Sequence, residues 1–516
     1  MQKQSFARGA FILTAAALVT RIIGFINGIV LARLLGAEGI GLLMMAYPLI
    51  PLIITLTELG LPVAISKLVA EADAQGNQAK VKKILAVSLA VTCTLSIALT
   101  ATALLGAKPI ASFLLTDQRA YYAMLALIPI APVVAVSAVL KGYFRGKQNM
   151  KSIAFSDVIE NTIQIVCIVA LVQFLIPYGI QYAAAGAMTA AVLGEAAGLL
   201  FLITRFRMYR QNSGVREKLS RHLQQGKQTL SELLHIGLPT TGHGLISSVY
   251  SAFQPMLITK SLAVAGIGTA LATKQFGLMA GYAFPLLFLP SFITHSLSTA
   301  LIPAVSEANA SRNEILMHRR MDQALRIGLI VGAPATVILY IWATPLTTLV
   351  YHAPEAGVLL KILAPFFFLH YFEAPLHAVL LGMGRANATM WNFIVATAFK
   401  AMAIMIFGTE FGINGVALGI GLGICLLALL NFFSTARIIG FYLDARQTMK
   451  VIFSALLMAI CGQFAFSFSQ RSGFDLLWAV IASISAALLV YCMALAVSGA
   501  MKRKRSPQIR KAPFQI

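Results

Sequence analysis

Long apolar runs, each closed by a short polar turn, dominate this chain. Measured against the roughly 20 residues needed to cross a bilayer, they predict about 14 membrane helices. The runs fall at 10–32, 40–66, 84–107, 121–140, 152–176, 182–204, 233–259, 275–302, 323–348, 358–381, 390–408, 413–436, 451–469 and 476–500. One stretch occurs twice. Gly41 to Asn77 and Gly277 to Asn313 both open with Gly-Leu, set an aromatic before a Pro, stay apolar and end in V-x-E-A-x-A-x-x-N. Glu71/Glu307, Ala72/Ala308 and Asn77/Asn313 share an offset of 236. Each copy is too apolar for a soluble helix until its final acidic turn, so each reads as a helix leaving a membrane.

The repeat extends further. Leu-Ile-Pro129 matches Leu-Ala-Pro365 at the same offset. LKGYFRGKQNM from Leu140 pairs with LLGMGRANATM from Leu380 at an offset of 240, and YGIQYAAAG from Tyr178 pairs with FGINGVALG from Phe411. The expected organisation is an all-α polytopic membrane protein of two pseudo-symmetric six-helix lobes plus a C-terminal helix pair. The N-lobe covers 1–205, a basic cytoplasmic linker 206–227, the C-lobe 228–437, helices 13 and 14 lie within 438–500, and a basic tail covers 501–516. An even number of spans per half keeps the halves in one orientation, as in parallel-repeat transporters with a site between repeats.

Composition agrees: 59% of the 516 residues are hydrophobic and only 11% charged. The formal charge of +22 raises the question of nucleic acid, and its placement answers it. Seven Lys and Arg sit at the expected outer ends (Arg33, Lys108, Arg119, Lys260, Lys274, Lys361 and Arg471) and two within spans (Arg21 and Lys400). The other 31 of 40 fall on the opposite side, which puts both termini in the cytoplasm. The surplus orients the chain and faces anionic lipid; no nucleic-acid partner is implied. The N-terminal apolar run is too long for a cleavable signal core. The five cysteines are scattered singly through apolar runs and suggest neither a disulfide frame nor a metal site.

No catalytic machinery is legible. Gly146-Lys147 and Gly226-Lys227 are each followed by Gln, so neither is a P-loop, and no HExxH occurs. No enzyme activity, cofactor or metal is expected. What remains is a sparse set of charges in apolar spans, each costing about 2.5–3.5 kcal/mol at mid-span unless it faces protein or water. Arg21 and Glu58 lie in the first two spans: either a structural ion pair, or a substrate phosphate ligand with a gate or proton carrier. Lys260 and Lys274 flank the seventh-to-eighth turn, either snorkelling or reaching the site. His295 and His370 are either packed or functional. His370, Glu373 and His377 share one helical face, as a proton relay or a polar seam. Lys67, Lys141 and Arg145 are basic candidates at the cytoplasmic mouth. Glu160 and Glu195 are weaker cases, with Lys400 a candidate partner for one of them.

These residues carry a resemblance. TRIIGFINGIVLARLLGAEGIGLLMMAYP, LTELGLPVAISKLVAEADAQGN, LKGYFRGKQNM, ATKQFG and LPSFITHSLSTALIPAVSE resemble the sporulation members of the polysaccharide-transport branch of the multidrug/oligosaccharidyl-lipid/polysaccharide exporter superfamily, over nearly the whole chain. The resemblance implies 14 helices, an inward-facing cavity and export of a lipid-linked glycan across the cell membrane, with a role in spore cortex peptidoglycan. In the related lipid II flippases the first-span Arg of R-x-x-G-F matches Arg21 and a second-span acid matches Glu58. Asn27 and Gly28 stand where those flippases have a basic-acidic pair, and Lys274 is the basic residue nearest to their seventh-to-eighth-span Arg.

The expected function is a flippase for a polyprenyl-pyrophosphate-linked peptidoglycan precursor, working by alternating access, with peptidoglycan synthases as candidate partners. A cation-coupled drug or metabolite antiporter and a non-transporting scaffold for cortex assembly are the alternatives.

Overall fold

The computed structural model describes residues 6–211, 226–311, 313–440 and 445–499. Most of the expected linker and all of the 501–516 tail lie outside the described residues. Among those described, every regular element is helical and none is a strand. Among the described residues, ten helices are long and apolar enough to cross a membrane, eleven if the bent pair Thr269–Phe288 and Ser291–Ala310 is one span. The count differs from the fourteen expected partly because two helices run on across a glycine. Gly36 (φ 65°) and Gly412 (φ 60°) are non-helical within continuous helices. Both lie where the apolar runs are interrupted, at 33–39 and 409–412. Glycine takes these left-handed conformations without a Cβ clash, so the chain turns without ending its helix.

The chain divides into two compact units, Met1–Gly281 and Tyr282–Ile516. The first holds α1 (Phe6–Ala46), α2 (Leu49–Glu58), α3 (Leu61–Ala74), α4 (Gln78–Leu105), α5 (Ala107–Leu114), α6 (Tyr121–Leu127), α7 (Ile130–Gly146), α8 (Met150–Leu175), α9 (Ile180–Gln211), α10 (Gly226–Val264) and α11 (Thr269–Gly277). Its core is built where α3, α4 and α7 meet, around Ile65, Val69, Ile84 and Phe144. The second unit holds α12 (Phe284–Phe288), α13 (Ser291–Ala310), α14 (Glu314–Ile341), α15 (Ala343–Tyr351), α16 (Ala356–Gly382), α17 (Ala386–Ile439), α18 (Ala445–Arg471) and α19 (Leu476–Val497). There α18 and α19 pack on α14 around Trp342, whose indole N–H donates to Ser483 Oγ at 2.9 Å. The π-helix Leu278–Ala283 joins α11 to α12.

The repeat has a physical basis in each unit. Asn77 Oδ1 accepts from the Lys80 N–H at 2.9 Å and so starts α4; Asn313 Oδ1 accepts from the Leu316 N–H at 2.9 Å and so starts α14. An Asn at this position satisfies one of the orphan donors of the first turn. Gly146 on α7 lies against Ser66 O and Val69, with room for a Cβ only 2.8 Å from each. Gly382 on α16 lies the same way against Ile302 O and Val305, at 2.9 and 2.8 Å. Gly146 and Gly382 are 236 apart, as are Val69 and Val305. The pairing of Gly142 with Gly382 at 240 is therefore off by one helical turn. The alikeness of LKG and LLG misleads there; the crossing glycine sets the register. The left-handed residues Gln148 (φ 57°) and Gly384 (φ 73°) follow at the same 236 offset.

Candidate functional site

In unit 1 the second apolar segment is broken. Leu59 (φ 45°) and Gly60 (φ 69°) are both left-handed, so α2 stops at Glu58 and α3 restarts at Leu61. A left-handed Leu is uncommon and marks strain that the surroundings must hold. They do so with glycines. Gly142 and Gly146 on α7 sit one turn apart on Pro62 O and Ser66 O of α3, and Gly237 on α10 lies against Leu59 O. Small residues four apart let helix backbones approach this closely. The crossing places Lys141, next to Gly142, beside the break. Glu58 is half-buried there, within electrostatic reach of Lys141, Arg145 and Glu195.

Lys141 is the hub of this cluster. Its Nζ lies 3.0 Å from Asp157 Oδ1 and 3.4 Å from Glu160 Oε2, both on α8. A second glycine crossing sets that face: Gly194 and Gly198 on α9 pack against the Glu160 and Ser156 carbonyls, and Ser156 Oγ donates to Gly198 O at 3.0 Å. Glu195, next to Gly194, thereby reaches Glu160. Four carboxylates thus gather round one lysine inside an apolar bundle, an arrangement suited to exchanging cations, protons or an anionic ligand's charge. Asp157 escaped the sequence reading. Its signal was present: it stands three residues before Glu160, on the same face of the fifth run.

Arg21 is exposed and makes no hydrogen bond or ion pair with the described residues, so the Arg21–Glu58 ion pair does not form. Asn27, one of the two departures from the flippase pattern, is buried, and its Oδ1 finds no partner among the described residues. Lys67, Arg145 and Lys260 are exposed; Lys274 is half-buried on α11.

Unit 2 carries a different constellation. The bend between α12 and α13 is 57° and falls at Leu289-Pro290. Proline removes a backbone donor here. Tyr371 of α16 donates its hydroxyl to Leu287 O at 3.1 Å, satisfying a carbonyl beside the bend. One residue earlier, His370 packs edge-on against Phe288 and places Nδ1 2.8 Å from Glu373 Oε2. Glu373 also lies within electrostatic reach of His377 and Lys400. The lysine's stem rests on Gly423 of α17. The His370–Glu373–His377 face thus comes together as spaced, and Lys400 joins it; the partner of Glu160 is Lys141 instead. His295 is exposed on α13 and stands apart from this group, while neighbouring Thr294 is buried. No group of three or more His, Cys, Asp and Glu with metal-site geometry occurs among the described residues.

Residues 6–309 match the model of the family described as polysaccharide biosynthesis protein, and residues 277–406 match that of the MatE family. The chain is 41% identical over its full length to stage V sporulation protein B of Bacillus subtilis (strain 168), covering 99% of that protein. It is 23% identical to the lipid II flippase MurJ of the same organism, over 87% of this chain and 86% of MurJ. Among solved structures, an inward-facing multidrug resistance MATE family transporter of the MOP superfamily superposes with a TM-score of 0.70 at 18% identity, covering 83% of this chain and 98% of that one. The fold is that of these transporters. The chain belongs to the polysaccharide biosynthesis protein family. It is a multi-pass membrane protein with the fold of these transporters.

Proposed function

We propose that the chain flips a polyprenyl-pyrophosphate-linked glycan, a peptidoglycan precursor for the spore cortex, by exposing its site alternately to the two faces of the membrane. The observation that carries the reading is Arg21. It is exposed, and has no ion-pair partner among the described residues, on an apolar helix of a chain whose relatives include a sporulation protein and a lipid II flippase. A guanidinium exposed on such a helix is poised for an anionic cargo, and its fork donates bidentately to phosphate oxygens. The Glu58–Lys141 cluster supplies the gate. Cargo phosphate arriving near Lys141 would compete with Asp157 and Glu160 for its ammonium. The two halves 1–205 and 228–437 act as the moving lobes, and both termini face the cytoplasm, where basic segments meet anionic lipid. Peptidoglycan synthases receive the cargo. The membrane potential assists, worth about 2.3 kcal/mol per charge per 100 mV. The carboxylate excess around Lys141 favours one second reading, a cation-coupled antiporter on the same scaffold.

The experiment is complementation of a Bacillus subtilis strain lacking stage V sporulation protein B, with lipid-linked precursors extracted from sporulating cells. Precursor should accumulate in the null strain and clear when this chain is expressed. Arg21→Ala should fail to clear it at normal protein abundance, and Arg21→Lys should recover it in part. Full clearance by Arg21→Ala removes Arg21 from the mechanism. No accumulation in the null strain removes the flippase reading.

A further inference from the structure

The chain passes between its compact units once, and the passage lies inside the π-helix Leu278–Ala283. A π-turn carries an extra residue relative to the α-helix around it, and such turns recur at functional sites. On its N-terminal side, α11 is fastened to the rest of unit 1 in two independent ways. The first is backbone contact: Gly277 lies on the Ala37 carbonyl and Gly41 on the Thr273 carbonyl, and a Cβ at either glycine would clash. The second is polar. Thr273 Oγ1 donates to buried Asp117 Oδ2 at 2.9 Å. Arg119 grips the same carboxylate through Nε at 3.1 Å and Nη2 at 2.8 Å, and its Nη1 reaches Glu38 Oε1 at 2.6 Å.

Glu38 is two residues past the Gly36 break, so one arginine connects that break in α1 to α11 by way of Asp117. A buried carboxylate with this many charge-assisted bonds is costly to leave half-satisfied, which makes the contact close or open as a whole. Neither Asp117 nor Arg119 belongs to the Lys141 or Glu373 clusters.

We propose that α11 is a latch: Asp117, Arg119 and Thr273 clamp it to the rest of unit 1, and its release, with bending at the Leu278–Ala283 π-turn, frees the helices after Tyr282 to change position without pulling α1. The latch is independent of what the protein carries. Its release would be rare at rest, since it breaks a charged contact to a buried carboxylate and parts the glycine contacts of α11 with α1.

The test is hydrogen–deuterium exchange on the full-length protein in nanodiscs of phosphatidylethanolamine and phosphatidylglycerol, comparing peptides over 269–277, 291–310 and 150–175. Asp117→Asn should raise exchange in 269–277 by roughly tenfold or more, leaving 291–310 and 150–175 unchanged, because loss of a charged hydrogen-bond partner shifts the local opening equilibrium by about that factor. Thr273→Val should move the same peptide in the same direction by less. The pair Asp117→Cys with Thr273→Cys should show the reduced form open and the oxidised form protected. Unchanged exchange in 269–277 overturns the proposal. So does a rise shared equally by 291–310, which would mean no joint at the π-turn. A rise across 150–175 in both Asp117→Asn and Thr273→Val would make the contact a general stabiliser of unit 1 and also overturns it.

Discussion

The stretch 41–77 and its repeat at 277–313 share their ends and differ in their middles. Both finish in an Asn that starts the next helix, and both are crossed by a glycine 236 residues apart from its counterpart, Gly146 in one and Gly382 in the other. Between those fixed points they diverge. The first breaks at Leu59-Gly60, beside Glu58 and the Lys141 cluster. The second bends at Leu289-Pro290, where Tyr371 takes up Leu287 O and His370 rests on Phe288. The asymmetry extends to the turns that follow α5 and α15. Asp117 stands in the first, and Ala353 stands at its 236-residue counterpart. Caps and crossings are the scaffold the duplication kept in both copies. The breaks and their charges are where each copy took its own task.

If that division is right, the largest effects should come from the scaffold and should be equal in the two units. Gly146→Leu and Gly382→Leu each force a side chain into a space with neighbours at 2.8 Å. Overpacking of this kind costs about 1–3 kcal/mol or more, and abundance should fall several-fold on immunoblots for both. A loss confined to one of them would break the equivalence of the two crossings.

Next come the charges that only one copy has. Lys141→Met leaves Asp157 and Glu160 without their cation and should lower thermal stability by on the order of 1–3 kcal/mol, discounted from a fully buried pair because these side chains keep some exposure. Adding Asp157→Asn and Glu160→Gln should return the melting temperature while leaving transport impaired. Recovery of transport as well would reduce the cluster to structural glue.

Much of this was legible in the chain. The all-helical, multi-pass character follows from run length because lipid leaves the backbone no alternative to helices. The duplication was visible because caps and small crossing residues are chemically specific. The one-turn slip at Gly142/Gly382 occurred where two glycines four apart, Gly142 and Gly146, offered two registers that only backbone contact distinguishes. The Lys141 and Asp117 clusters were not legible, since each unites residues from three or more segments. Asp117 reads as an ordinary helix start; only Thr273, 156 residues away, makes it a buried one.

The Asp117 contact offers a smaller, pH-dependent comparison. Burial would raise this carboxyl, but hydrogen bonds from the Arg119 side chain, the Arg119 backbone and Thr273, with the charge of Arg119, hold it below the usual carboxylate range. A depressed pKa contributes stability above the unfolded value of about 3.9, lost as pH falls through the lower folded value. Exchange in 269–277, corrected for intrinsic rates, should therefore be flat from neutrality down to about pH 4 and rise below it. In Asp117→Asn that acid-dependent rise should vanish. A rise beginning near pH 6 would point to a histidine or a raised carboxyl elsewhere and detach the acid response from Asp117.

The smallest effect is the sharpest test of the repeat, because it uses the most alike pair. Asn77 and Asn313 each accept from a backbone N–H three residues on, at 2.9 Å in both cases. Each satisfies one orphan donor of a long helix, α4 or α14, and each follows the same V-x-E-A-x-A turn. Replacing such a cap by Ala typically costs about 1 kcal/mol. Asn77→Ala and Asn313→Ala should therefore lower the midpoint of thermal unfolding by the same small amount. The caps share no partner and lie in separate compact units, so the double variant should show the sum within about 0.5 kcal/mol. Asp or Ser at either position should restore most of the loss, since both accept the same bond, while Gln should not, its amide sitting one carbon too far out. Transport should stay at the wild-type level per folded molecule in all of them. If Asn77→Ala alone impairs transport, the first copy's cap has been drawn into function, and the line between shared scaffold and private chemistry must be moved toward the helix end.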